Sequence, residues 1–255
     1  MTILCYHTVE QGWTSPLAVT PAVFSEHCSW LARHKHVIAL EDAVQGIDAA
    51  GRLPAGMVAL TFDDGFSGVG EHAAPLLHRY GLSATVFLVA ETLTEHGRSI
   101  DWATTPPPTA RTLSRDEVLE LQAGGVRFQS HSYSHPDLRA LSEQECEREL
   151  RDSKELLEDL LSRHVRFLAY PRGLHNEAVR RAAQKAGYTH AFSLPEGPEE
   201  VGRYSIPRAV IVPGNGVLAL TIKSSRRYTT MRRNPVFPAC RAVARRVGQG
   251  LKPGA

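Results

Sequence analysis

Short apolar, β-prone runs recur along the chain, and most are followed by a stretch whose apolar positions have helical spacing. Ile3–Tyr6, Val37–Leu40, Met57–Phe62, Ala84–Val89, Val126–Ser130, Val165–Tyr170, His190–Ser193 and Ile206–Ile211 read as strands. The spacing predicts helices over Ala22–His34, Glu41–Ile47, Gly70–Tyr80, Ser142 to about Arg163, Asn176–Ala186 and Gly214–Tyr228, with another opening at Ser114. Thr20 with Pro21 marks a helix start, and Gly81, Gly124 and Gly187 mark stops. Strand-then-helix alternation predicts an α/β fold, and 255 residues suit a single barrel-like domain.

Several strands end in ionisable residues. Leu60-Thr61-Phe62 runs into Asp63-Asp64-Gly65, and Val126–Ser130 runs into His131-Ser132-Tyr133-Ser134-His135-Pro136. Ile3–Tyr6 ends at His7. Adjacent carboxylates at the end of a core strand are costly to bury without a metal or a positive partner. An exposed Asp-Asp-Gly turn would explain the first cluster as simply, and hydrogen-bonded structural histidines the others. Histidines four apart converge on one ion if the segment makes a helical turn, which Pro136 keeps short. A close His pair with an Asp from another strand end matches the two-His, one-carboxylate pattern of an open metal site. A spare carboxylate, Asp63, would then serve as general base.

Thr61-Phe62-Asp63-Asp64-Gly65 together with His131-Ser132-x-x-His135-Pro136 resembles the NodB-type polysaccharide deacetylases, over roughly residues 1 to 215. The resemblance implies a distorted parallel (β/α) barrel with its site at the C-terminal strand ends. It implies Asp63 as base and Asp64, His131 and His135 as ligands of a divalent metal, Zn²⁺ first, with Co²⁺, Ni²⁺, Mn²⁺ or Fe²⁺ as alternatives. The family's usual acid, a His in a C-terminal Leu-x-His motif, has no counterpart, because the last histidine is His190. Leu4-Cys5-Tyr6-His7 is similar instead to the branch with an N-terminal catalytic His, as in poly-N-acetylglucosamine deacetylases, which makes His7 the expected acid.

Phe167–Gly173 matches a segment that lines the family's site, so Tyr170 is expected at the substrate. The Arg that usually pairs with the catalytic Asp is missing there, and Arg208 is the candidate substitute, with a surface Arg as the plain alternative. Within the irregular stretch Glu91–Thr112, Trp102 is either a stacking surface for a sugar ring or a residue that packs the loop down. The implied reaction removes N-acetyl groups from amino sugars of a surface glycan or lipid-linked precursor, releasing acetate. The alternatives are a small-molecule amidohydrolase or deacylase and a non-catalytic glycan-binding module.

A net charge of +2 argues against nucleic acid as a partner, but the charge is uneven, since no Asp or Glu follows Glu200. The expected division is a catalytic domain over residues 1–222 and a basic tail over 223–255. In that tail Phe237, Cys240, Val243 and Val247 share a helical face opposite Arg241, Arg245 and Arg246, which suits peripheral contact with an anionic membrane. Four scattered cysteines, no signal-like start and no apolar run of membrane length lead to the expectation of a cytoplasmic protein, peripheral to the inner membrane face if the tail adsorbs.

Overall fold

Period-two alternation in the strands sorts their side chains into two apolar layers. One layer holds Ile3, Ala59, Phe87, Phe167, Ala169, Phe192 and Ile206, and the other holds Leu4, Tyr6, Leu60, Phe62, Val86, Leu88, Leu168 and Tyr170. The structure, a computed structural model, describes residues 2–50, 56–100, 102, 106–107, 109–195 and 201–234. In chain order its elements are β1 (Thr2–Tyr6), β2 (Thr8–Val9), β3 (Ala18–Val19), α1 (Pro21–His34), β4 (His36–Val37), α2 (Leu40–Ala50) and β5 (Met57–Phe62). Then come α3 (Ala74–Tyr80), β6 (Thr85–Leu88), α4 (Arg115–Ala123), β7 (Arg127–Ser130), α5 (Glu143–Leu161), β8 (Phe167–Ala169) and α6 (Glu177–Lys185). Last are β9 (His190–Ser193), β10 (Ile206–Pro207), β11 (Ala209–Val210), α7 (Val217–Lys223) and α8 (Arg226–Arg232).

All strand pairs are parallel, in the order β10-β9-β8-β7-β6-β5-β1-β11. The two end members, β10 and β11, are separated in sequence by Arg208 alone, so the eight strands form a nearly closed barrel with helices around it. The single late strand expected over Ile206–Ile211 is therefore two. Ile206 and Pro207 pair with Phe192 and Ser193, whereas Ala209 and Val210 pair with Leu4 and Cys5. Pro207, with no N–H to give, sits at this seam.

Inside the barrel the lower layer is apolar and α2 closes it, with Leu40, Ala43 and Val44 packed on Ile3 and Phe87. Burying each of the large side chains there contributes about 1.5–3 kcal/mol. The strand β1 pairs along its whole length with Val58–Phe62 of β5, whose other edge is shared between β4 and β6, which is the barrel's main irregularity. Thr20 caps α1, accepting from the Val23 N–H, and Ser114 and Ser142 close capping boxes with Glu117 and Glu145. The expected helix over Gly70–Tyr80 is a π-type turn, Val69–Ala73, leading into α3, which Gly81 stops at φ 64°. Leu40, expected in a strand, instead opens α2. The last predicted helix breaks at Ser224–Ser225 into α7 and α8, and Tyr228 of α8 is buried against the core, so packed structure continues past the boundary expected at 222. The tail positions Phe237, Cys240, Val243 and Val247 lie outside the described residues.

The segment before α4 crosses the Asp-Asp-Gly turn: Leu113 N–H donates to Gly65 O at 2.8 Å and Ser67 N–H to Arg111 O at 2.9 Å. Arg111 clamps it with two bonds to Glu117, at 2.6 and 2.7 Å, which hold that carboxyl down to about 2. Because the folded value lies below the ordinary 4.5, the pair's stabilisation is full above pH 4.5 and is lost as pH falls through about 2. Both side chains are about one-third exposed, so we expect Glu117→Gln to lose no more than about 1 kcal/mol at pH 7. Its urea midpoint should also fall less steeply than that of the parent between pH 5 and pH 2.

Candidate active site

Continuing the alternation of β5, Ala59, Thr61 and Asp63 share a face, as do Ile3, Cys5 and His7 of β1. Asp63 N–H extends the ladder to Tyr6 O at 3.0 Å. Asp64 and Gly65 then both turn left-handed, at φ 70° and 67°, so both carboxylates stay at the barrel mouth. The left-handed backbone at Gly65 favours glycine, and a Cβ there would also push on Leu88 Cδ2 at 2.7 Å. Both carboxylates are almost wholly buried.

Arg208 reaches into the barrel from the seam. Its Nη1 and Nη2 each donate to one oxygen of Asp63, both at 2.7 Å, and Nη1 also donates to Thr61 Oγ1 at 3.1 Å. Its guanidinium lies 5.2 Å over the Phe87 ring. Burial alone would push the Asp63 carboxyl up, but the Arg208 charge, with His131 and His7, holds it well below the usual carboxylate range. The Cys5 thiol donates to Asp63 Oδ2 at 3.3 Å, and burial raises its own pKa well above the ordinary thiol value.

The histidine segment is no helical turn. His131 N–H still pairs with Leu88 O at 2.8 Å, and Ser132 and His135 then take left-handed backbone at φ 69° and 61°. Pro136 disfavours the α conformation for His135, and the reversal is completed by His135 N–H donating to Ser132 Oγ at 3.0 Å. Beneath it, Ser130 Oγ bonds Ser153 Oγ and accepts from Tyr188 OH, each at 2.8 Å, while Ser134 N–H donates to Glu149 of α5 at 2.6 Å.

These turns bring Asp64, His131 and His135 together, each offering one ligand atom within 4.8 Å of the others. The histidine Nε2 atoms lie 3.3 and 3.4 Å from Asp64 Oδ1, an oxygen that is buried and accepts no hydrogen bond among the described residues. His131 Nδ1 must donate to the Ala169 carbonyl, 2.8 Å away, which leaves the Nε2 lone pair facing the cluster. Burial opposes a proton on His131, but Asp63 and Asp64 outweigh it and raise its proton affinity. Burial and the His131 charge hold His135 down to about 4. Two nitrogens and one orphaned carboxylate oxygen fit a divalent ion such as Zn²⁺.

His7 is half-buried at the end of β1, and a ring nitrogen lies within 4.8 Å of Asp63 and Cys5 ligand atoms. Trp102 stacks at 5.7 Å on His135 and 6.2 Å on Phe66, with its Nε1 buried and without a partner among the described residues. Tyr170 is not brought to the mouth. Alternation along β8 turns it to the helix-facing layer, where it is fully buried and its hydroxyl donates to Tyr204 O at 2.9 Å. It presents no surface to a substrate. Cys5 escaped sequence reasoning because only the β1–β5 register sets it beside Asp63. Glu149 escaped because nothing local marks it among the charges of α5.

The family model described as polysaccharide deacetylase matches residues 50–191. The chain belongs to the polysaccharide deacetylase family. It is 27% identical over 215 residues to YxkH of Bacillus subtilis (strain 168), covering 83% of this chain and 71% of that one. It is also 27% identical over 209 residues to the poly-beta-1,6-N-acetyl-D-glucosamine N-deacetylase of Staphylococcus epidermidis, covering 76% of this chain and 68% of the relative. Among solved structures, the Streptococcus pyogenes deacetylase PplD in complex with acetate superposes with a TM-score of 0.75 at 26% identity, covering 88% of this chain and 98% of that one. IcaB from Ammonifex degensii shares the fold, with a TM-score of 0.71 at 20% identity and coverage of 88% and 96%.

The Arg208–Asp63 pair gives this member of the family a testable weak point. Arg208→Met leaves a buried carboxylate without its partner, and we expect a loss of about 3–5 kcal/mol in urea unfolding. Arg208→Lys, which keeps the charge but not the fork, should lose less.

Proposed function

We propose that this protein is a metal-dependent carbohydrate N-deacetylase that removes acetyl groups from N-acetylated amino sugars of a glycan and releases acetate. The observation that carries the reading is the pairing of two unlike carboxylates at one barrel mouth. Asp64 faces two histidine nitrogens with an unsatisfied oxygen, while Asp63 beside it is held by an arginine fork. A binding module would have no use for the second carboxylate. The family membership and the N-deacetylase among the relatives support the substrate class.

In this reading Asp64, His131 and His135 hold the divalent ion, which when bound supplies Lewis acidity to the acetamide carbonyl and to water. Asp63 is the base. Arg208 keeps it ionised and fixes its plane, and because Cys5 occupies Oδ2 as well, Oδ1 is the freer oxygen to accept the proton of the attacking water. His7 gives a proton to the sugar nitrogen as the C–N bond breaks, since an amide anion is too poor a leaving group. Trp102, half-buried between His135 and Phe66, offers the part of its ring that stays exposed as an apolar wall for the acetylated sugar.

Acetate release from N-acetylglucosamine oligomers should stop with a chelator and return on adding Zn²⁺ or Co²⁺. Asp63→Asn should lower kcat by about 10²–10⁴-fold with one metal still bound per chain, and His7→Ala by about 10²-fold or more. Full activity in chelator, or in Asp63→Asn, would refute the mechanism. Release from small acetamides but from no sugar would replace it with a small-molecule amidohydrolase. His131→Ala and His135→Ala should each lose metal in equilibrium dialysis, and affinity for the parent should fall as pH drops and His131 holds its proton.

A further inference from the structure

We propose that α7 and α8 form a docking surface for an anionic lipid bilayer, on which the protein adsorbs without spanning. Three of the large apolar side chains that stand exposed in the described residues lie on these two short helices: Leu218 at 77%, Ile222 at 51% and Met231 at 46%. Leu218 and Ile222 are four apart and share one face of α7. The helices are fastened to the barrel from their other sides, by buried Leu220, by Tyr228 and by Thr2 Oγ1 donating to Ser225 O at 3.1 Å. The apolar face is therefore held outward on a rigid element.

The charges on the two helices have one sign. Lys223, Arg227, Arg232 and Arg233 interleave with the apolar residues, and no Asp or Glu occurs anywhere after Glu200. Lys223 bonds the Val210 carbonyl and the Asn215 side chain, Arg232 bonds the Pro195 carbonyl, and Arg227 is exposed. Immediately beyond Asn234 the sequence adds Arg241, Arg245, Arg246 and Lys252, again without an acid. An apolar face set in cations fits the boundary between acidic headgroups and acyl chains, where each part finds its complement. A nucleic acid would leave the leucine and isoleucine unburied. A second copy of the chain would set the cations of two such faces against each other. No helix among the described residues is long and apolar enough to cross a membrane.

The test is co-sedimentation of the full chain with phosphatidylglycerol–phosphatidylcholine vesicles and with phosphatidylcholine alone, at about 0.1 M and 0.5 M salt. The parent should sediment with the anionic vesicles, weakly with the neutral ones, and less at high salt. Leu218→Asp/Ile222→Asp should lower the partition coefficient by about tenfold or more at an unchanged melting temperature. Leu218→Ser/Ile222→Ser, which keeps the charge, and Arg227→Glu provide the comparison if the acidic pair disturbs folding, and each should bind less than the parent. Failure of the parent to bind anionic vesicles would overturn the proposal. So would equal binding by the variants, or light scattering that shows a dimer which Leu218→Ser/Ile222→Ser dissociates.

Discussion

The bidentate pair between Arg208 and Asp63 is the constraint on which the rest of the molecule depends. Both groups are buried, and neither could remain there alone at tolerable cost, because an ion moved from water into the interior loses several kcal/mol of solvation. The pair joins the seam of the barrel, where the chain crosses from β9 to β1, to the end of β5 in the middle of the sheet. Closure of the barrel and placement of the proposed base are therefore one event. A barrel that failed to close would leave Asp63 unpaired, and an Asp63 that moved would leave a guanidinium buried over Phe87.

Backbone strain follows the chemistry. Among the described residues Asp64, Ser132, His135, Ser162 and Arg172 take left-handed φ without being glycine, and three of the five lie in the two turns that face each other across the mouth. Such residues persist only where the surroundings over-determine them. Here the surroundings are the Leu88–His131 ladder bond, the Ser132 hydroxyl cap, the Glu149 brace and the Leu113–Gly65 bond. The interior of the barrel is graded to match, with aromatic rings at its base and Cys5, Thr61, Arg208 and Asp63 toward its mouth. The apolar base excludes water from below, so the electrostatic arrangement above it acts at low dielectric.

Much of this was legible in the chain. Period-two strands between capped helices pointed to parallel α/β architecture, since a buried strand and an amphipathic helix leave different periodicities. Asp63-Asp64-Gly65 and His131-x-x-x-His135-Pro136 stood out because together they match a two-His, one-carboxylate site, although each alone had a plain structural reading. The four-residue spacing of the His pair allowed convergence through a helical turn, whereas two left-handed residues make the reversal. Local sequence does not decide that, because the bonds that fix it come from β6 and α5.

What the sequence determined by itself is the set of elements and the chemical types that end them, since both follow from spacing and side-chain chemistry within a few residues. Which groups meet was decided by tertiary structure. Arg208 lies 145 positions from Asp63, Cys5 lies 58 away, and Glu149 braces a loop 15 residues back. Those meetings depend on strand register and on closure of the sheet. Tyr170 illustrates the same limit from the other side. Its motif placed it near the site, but one step of the strand alternation turned its ring away into the core.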